Sequence, residues 1–211
     1  MGSLAKRIGQ LSAKSMESES SQILRTIQSN KVPNSLSQKL DKTLKDSHDM
    51  KVFGLGTLSS LSNIDRFTRF TYSMYGVYST MEHELDLTAD TNSTSSAVKH
   101  FWMNHEKILR RSDKLKQDLI QSLAHSNNNN NNNMTINDIM DMEYSPSTKK
   151  YIEAIQDAGE HDRKYNTGRL LGHAYTRYLA DLMGGQVLAT PTKLALGLND
   201  DDDDGVDIMQ Y

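Results

Sequence analysis

The 211-residue chain is predicted to be all-α and multihelical, as a single domain. Apolar residues recur every three to four positions along most of it, and no segment alternates convincingly as a strand would. Its three prolines, Pro33, Pro146 and Pro191, stand outside the apolar-periodic stretches, as a helical chain requires. A hydrophobic content of 36% is enough for one sizeable core, while a mean hydropathy of -0.65 points to polar appendages. The expected organisation is a flexible N-terminal segment over 1–33, a helical domain over 34–198 and an acidic C-terminal segment over 199–211.

The first helix follows Pro33, where Asn34, Ser35 and Gln38 make a capped start and Leu36, Leu40, Leu44 and His48 recur every fourth residue. Ser62 with Asp65 opens the second, whose apolar face runs Ile64, Phe67, Met74, Tyr78, Met81 and Leu85. A third carries Val98, Phe101, Trp102, His105, Ile108, Leu109, Leu115 and Leu119 on one continuous period. The unbroken asparagine run Asn127 to Asn133 is expected to be a disordered loop insertion, spanning 125–138. Ser145 and Pro146 then start a helix with Tyr151, Ile152 and Ile155.

Counting outward from the last helical stretch, HAYTRYLADLMGGQVL at 173–188, Leu171, Ala174, Tyr175, Tyr178, Leu179 and Leu182 fall on the helical period. Val187 and Leu188 resume it after two adjacent glycines. Gly184 and Gly185 each cost about 1 kcal/mol against alanine in a helix interior. A kink, or close approach of backbone to a neighbouring helix or flat ligand, would offset that cost.

A net charge of -3 gives no reason to expect a nucleic-acid partner, and without cysteine there are no disulfides, thiolate metal sites or cysteine nucleophiles. No apolar run reaches the length of a membrane span or resembles a signal-peptide core. Lys6, Arg7 and Lys14 among serines give a faint organelle-targeting flavour, so the expected location is intracellular, cytoplasmic or plastid. A di-iron bundle needs glutamate three residues before a histidine, and none of the seven histidines has one. A zinc protease needs His-Glu-x-x-His, but His83-Glu84 and His105-Glu106 lead to Leu87 and Leu109. What survives is a single-histidine site or no metal site. His48 extends a leucine stripe that turns its imidazole inward, with Lys45 one turn earlier. That histidine is either a satisfied core residue or a ligand to a heme iron, with Lys45 in reach of carboxylates at the heme edge.

Five stretches, in order, resemble the heme oxygenase family of the biliverdin-producing type: LSQKLDKTLKDSHDM at 36–50, YGVYSTMEHEL at 75–85, LRRSDKLKQDL at 109–119, SPSTKKYIEAIQDAG at 145–159 and HAYTRYLADLMGGQVL. The resemblance implies an all-helical fold that holds heme b, as cofactor and substrate, between a proximal helix and a kinked distal helix. It implies His48 as the iron ligand and Gly184 and Gly185 as the place where distal backbone meets the ring. Asp181 would hold a distal water network that supplies protons, with Arg177 and Tyr78 supporting it, and Lys45 and Tyr175 would hold the propionates. The implied reaction consumes oxygen and electrons and yields biliverdin, carbon monoxide and ferrous iron. The implied partner is an electron donor such as ferredoxin or an NADPH-dependent reductase, and the expected state is a monomer.

Ala180 stands where the family generally has glycine, and Met183 replaces a usual small residue. The family also continues with further helices past the point where this chain ends at Tyr211. The alternative is therefore a heme carrier or sensor on the same fold, with impaired turnover.

Overall fold

The computed structural model describes residues 63–91, 96–130, 134–178, 192 and 196. Those residues form helices and their connections, with no strand among them. The helices are α1 (Ile64–Asp90), α2 (Ala97–Leu109), α3 (Ser112–Asn130), α4 (Ile136–Met140) and α5 (Pro146–Tyr165), followed by α6, described over residues 169–178. The helix expected from Leu36 to His48 lies outside the described residues.

The centre of the fold is α1, which packs against α2, α3 and α5. Its N-cap is Asn63, whose side chain accepts from the Arg66 amide at 2.9 Å, so the cap lies one residue later than the Ser62 expected from sequence. From there Phe67, Val77, Tyr78, Met81, Leu85 and Ala89 are buried along one stripe. The main core gathers Tyr78, Met81 and Leu85 against Trp102 of α2, Ile155 of α5, and Leu170 and Ala174 of α6. A smaller core joins Tyr72 of α1 to Leu119 and Leu123 of α3 and Ile139 of α4. The Tyr72 hydroxyl fastens this end by donating to the carbonyls of Met140 and Met142, at 3.1 and 2.9 Å.

Two sequence expectations are corrected. The single helix drawn from Val98 to Leu119 is two helices, because the chain turns at Arg110, whose φ of -57° and ψ of 129° leave the helical range. Glu82 of α1 stabilises the break: its carboxylate accepts from the amides of Arg111 and Ser112, at 2.6 and 3.1 Å, and from the Ser112 hydroxyl at 2.5 Å. A carboxylate there satisfies amides exposed at the start of α3 and complements its dipole. His105 and Ile108 consequently face outward, Ile108 being 70% exposed.

The loop expected over 125–138 is also narrower than its composition suggests. The α3 helix continues to Asn130, held by buried Leu115, Leu119 and Leu123 and by the Ser126 hydroxyl donating to Asp65 of α1 at 2.7 Å. Asn127 closes the connection with a paired bond, its amide donating to the Met134 carbonyl and accepting from the Met134 amide, at 2.8 and 3.2 Å. Thr135 and Asp138 then form a capping box that starts α4. Tertiary contacts outweigh the weak helix propensity of asparagine. The α5 start is as expected, with Ser145 as N-cap and Pro146 in the first turn. Among the described residues, no helix is long and apolar enough to cross a membrane.

Candidate functional site

Two of the side chains expected at the site, Tyr78 and Arg177, are brought together by the way α5 hands over to α6. The α5 helix ends at Asn166 in the left-handed conformation, φ 52°, and Gly168 follows at φ 77°, a conformation that favours glycine. Asp162, buried in the last turn of α5, receives the Thr167 hydroxyl at 2.6 Å and the Arg169 and Leu170 amides at 3.0 and 2.8 Å. Burial pushes its carboxyl up, but these donors, with the Gly168 amide, together hold it below the usual carboxylate range. One carboxylate therefore fixes where α6 begins and how it is rotated.

With that rotation Leu170 and Ala174 enter the core, and the next turn presents Arg177 and Tyr178 to α1. The Tyr178 ring lies 5.3 Å from that of buried Tyr78, tilted by 53°. The Arg177 guanidinium carbon sits 5.9 Å from the centre of the Tyr78 ring, and its Nη2 donates to the Met74 sulfur at 3.5 Å. Burial pushes the Tyr178 phenol up, assisted by the Glu82 carboxylate and opposed by Arg111 and Arg110. The Tyr178 hydroxyl is buried without a hydrogen-bond partner among the described residues. His173 is half-buried beside Tyr151, ring centres 5.6 Å apart, and burial pushes its imidazole down against the pull of Asp162.

Next to this cluster, α1, α5 and α6 enclose an open groove of about 500 Å³. The α1 wall is formed by Phe70, Ser73, Met74 and Val77, with Arg66 and Arg69 at one end. Ser147, Thr148 and Tyr151 of α5 and Arg177 of α6 complete it. An apolar wall bordered by cations suits a flat molecule that carries carboxylates.

Tyr175 is not part of this assembly. It is 53% exposed, so it leaves the apolar face on which its spacing placed it. The reason is rotation about the helix: Arg177 is two residues on, roughly 200° around the axis. Lys45, His48, Asp181, Gly184 and Gly185 lie outside the described residues. Among the described residues no group of three histidines or carboxylates is placed to hold a metal ion. Sequence reasoning missed the roles of Met74 and Tyr178. The signal for Met74 was present, since it stands one turn before Tyr78 on α1.

The model of the family described as heme oxygenase matches residues 34–211. Heme oxygenase 1 of Bos taurus is 44% identical over 55 residues, which are 26% of this chain and 18% of that protein. A heme oxygenase of Pyropia yezoensis is 42% identical over 59 residues, 28% of this chain and 23% of the other. Heme oxygenase 1 of a Nostoc strain is 36% identical over 59 residues, with the same 28% and 23% coverage. The matched stretch thus spans about a fifth of the length of these relatives. No solved structure matches the chain significantly. With a family match running from residue 34 to residue 211 and covering all six described helices, the chain belongs to the heme oxygenase family.

Proposed function

We propose that the protein is a heme oxygenase that opens heme b to biliverdin, carbon monoxide and ferrous iron, using oxygen and an external electron donor such as ferredoxin or an NADPH-dependent reductase. The observation that carries this reading is the convergence of Arg177 and Tyr78, distant in sequence, beside a groove whose wall is apolar and whose rim is cationic. Heme combines a flat apolar ring with two carboxylates, so the described residues fit it. When bound, it supplies the iron that takes up oxygen and the ring that is oxidised.

The remaining roles belong to this chain's own side chains. His48 would bind the iron through its imidazole, and Lys45 and the exposed Tyr175 would hold the carboxylates of the ring. Gly184 and Gly185, having no side chains, would allow a close approach of backbone to the ring. Asp181, four residues after Arg177 in the sequence, would order water and hand on protons. Arg177 contributes a fixed positive charge, held over the Tyr78 ring and against Met74, so its position costs no reorganisation during reaction.

The test is single-turnover chemistry on heme-loaded protein supplied with reductant and oxygen. Bilin absorbance is expected from the wild type. Asp181→Ala is expected to take up heme normally and to form bilin at least tenfold more slowly, as removal of a positioned proton donor should. Equal rates in the two proteins would contradict the role of Asp181. Stable heme uptake with no bilin from the wild type would make the protein a carrier or sensor instead.

A further inference from the structure

The α2 helix carries more apolar surface than the fold uses. Its buried residues are Val98 and Trp102. Ala97, Phe101, Asn104 and Ile108 follow one another at spacings of four, three and four, so they line one outer side of the helix, and His100, Met103 and Lys107 line the side next to it. Ile108 is 70% exposed and Met103 66%, while half-buried Phe101 lies beside His105, ring centres 5.5 Å apart. Lys99 and Lys107 enter no ion pair among the described residues, and the one acid of α2, Glu106, is held by Arg110 at 2.9 Å. The outer face of α2 is therefore apolar and cationic together. The acidic segment 199–211 has the matching character: six aspartates, no lysine or arginine, and Val206, Ile208 and Met209 after the aspartate run.

We propose that the outer face of α2 is a docking surface for the acidic segment of the same chain, with Val206, Ile208 and Met209 against Phe101, Met103 and Ile108 and the aspartates beside Lys99 and Lys107. Charge complementarity selects this occupant. Its reach suffices: residue 208 follows the described residue 196 by twelve residues, up to about 40 Å of extended chain, against a radius of gyration of about 17 Å for a compact chain of this length. The tether adds an effective concentration of about millimolar order, which a separate acidic partner lacks. Docking there shields an apolar face that would otherwise invite other chains. The contact stands without the reading of the protein as an enzyme.

The chain has no cysteine, so Gln210→Cys gives a single attachment point for a nitroxide on the full-length protein. The amide NMR signals of Asn104, Lys107 and Ile108 are expected to be lost while the nitroxide is oxidised and to return once it is reduced. Ile108→Asp and Lys107→Glu, exposed changes that leave the circular dichroism unaltered, are each expected to restore those signals with the nitroxide oxidised. When the nitroxide is carried instead by chains without isotope, mixed with isotope-labelled unmodified chains, the signals are expected to survive. Their loss in that mixture would assign the contact to a second chain and overturn the proposal. So would α2 signals that the nitroxide never touches, loss confined to Arg66 and Arg69 at the start of α1, or loss that persists unchanged in either variant.

Discussion

Asp162 shows how much one side chain decides here. It is 3% exposed, yet it carries a charge because three backbone amides and a hydroxyl are aimed at it. Replacing it with asparagine puts an amide donor where an acceptor is needed, so Asp162→Asn is expected to cost about 1 to 3 kcal/mol in denaturant unfolding at neutral pH. Its carboxyl is lowered in the fold, so the stability it supplies is complete above about pH 4, the unfolded value, and is lost as pH falls through the lower folded value. His173 acts with the same sign at higher pH. Burial favours its neutral form, so stability declines as pH falls below about 6.5. Asp86, Asp138 and Glu143 are lowered as well, so the wild type is expected to lose stability in acid through all of these groups, and Asp162→Asn to lose less than the wild type over the lower range. An acid loss in Asp162→Asn equal to that of the wild type would contradict the role given to Asp162.

Individual helices were legible in the sequence where their signals are local, and illegible where a distant residue decides. The Ser145–Pro146 start of α5 and the apolar stripe of α1 depend on neighbours within a turn or two, and both are found where spacing places them. The break between α2 and α3 depends on Glu82, 29 residues before Arg111, so the apolar period ran straight through it. The extent of α3 into the asparagine run depends likewise on its buried leucines and on Ser126 reaching Asp65. The packing of α5 on α1 gives a test at this scale. Gly159 lies against Glu84, whose carboxylate also receives Arg163 at 2.5 Å; a Cβ at Gly159 would stand 2.9 Å from the Glu84 Cδ and 3.0 Å from its Cβ. Gly159→Ala gains about 1 kcal/mol of helix propensity, yet the clash is expected to outweigh it and leave a net loss of about 1 to 2 kcal/mol in thermal unfolding. A stabilised variant would show that the α1 and α5 backbones are not locked together there.

Across the whole molecule, α1 is the scaffold on which the other helices assemble, and Arg177 reaches the described part of the site because Asp162 sets the rotation of α6. The pairing of Tyr78 with Arg177 was legible only through the family resemblance, since nothing in their spacing shows that α1 and α6 meet. The exposure of Tyr175 was hidden for the converse reason: its spacing fits the apolar face, and only the fixed rotation of α6 turns it out. The proposed activity requires a heme iron held by His48. The direct measurement is a hemin titration of wild type and His48→Ala, followed by the Soret absorbance and repeated with added imidazole. A saturable band is expected in the wild type, shifted or lost in the variant and restored by imidazole. No band in the wild type, or the same band in both proteins, would contradict it.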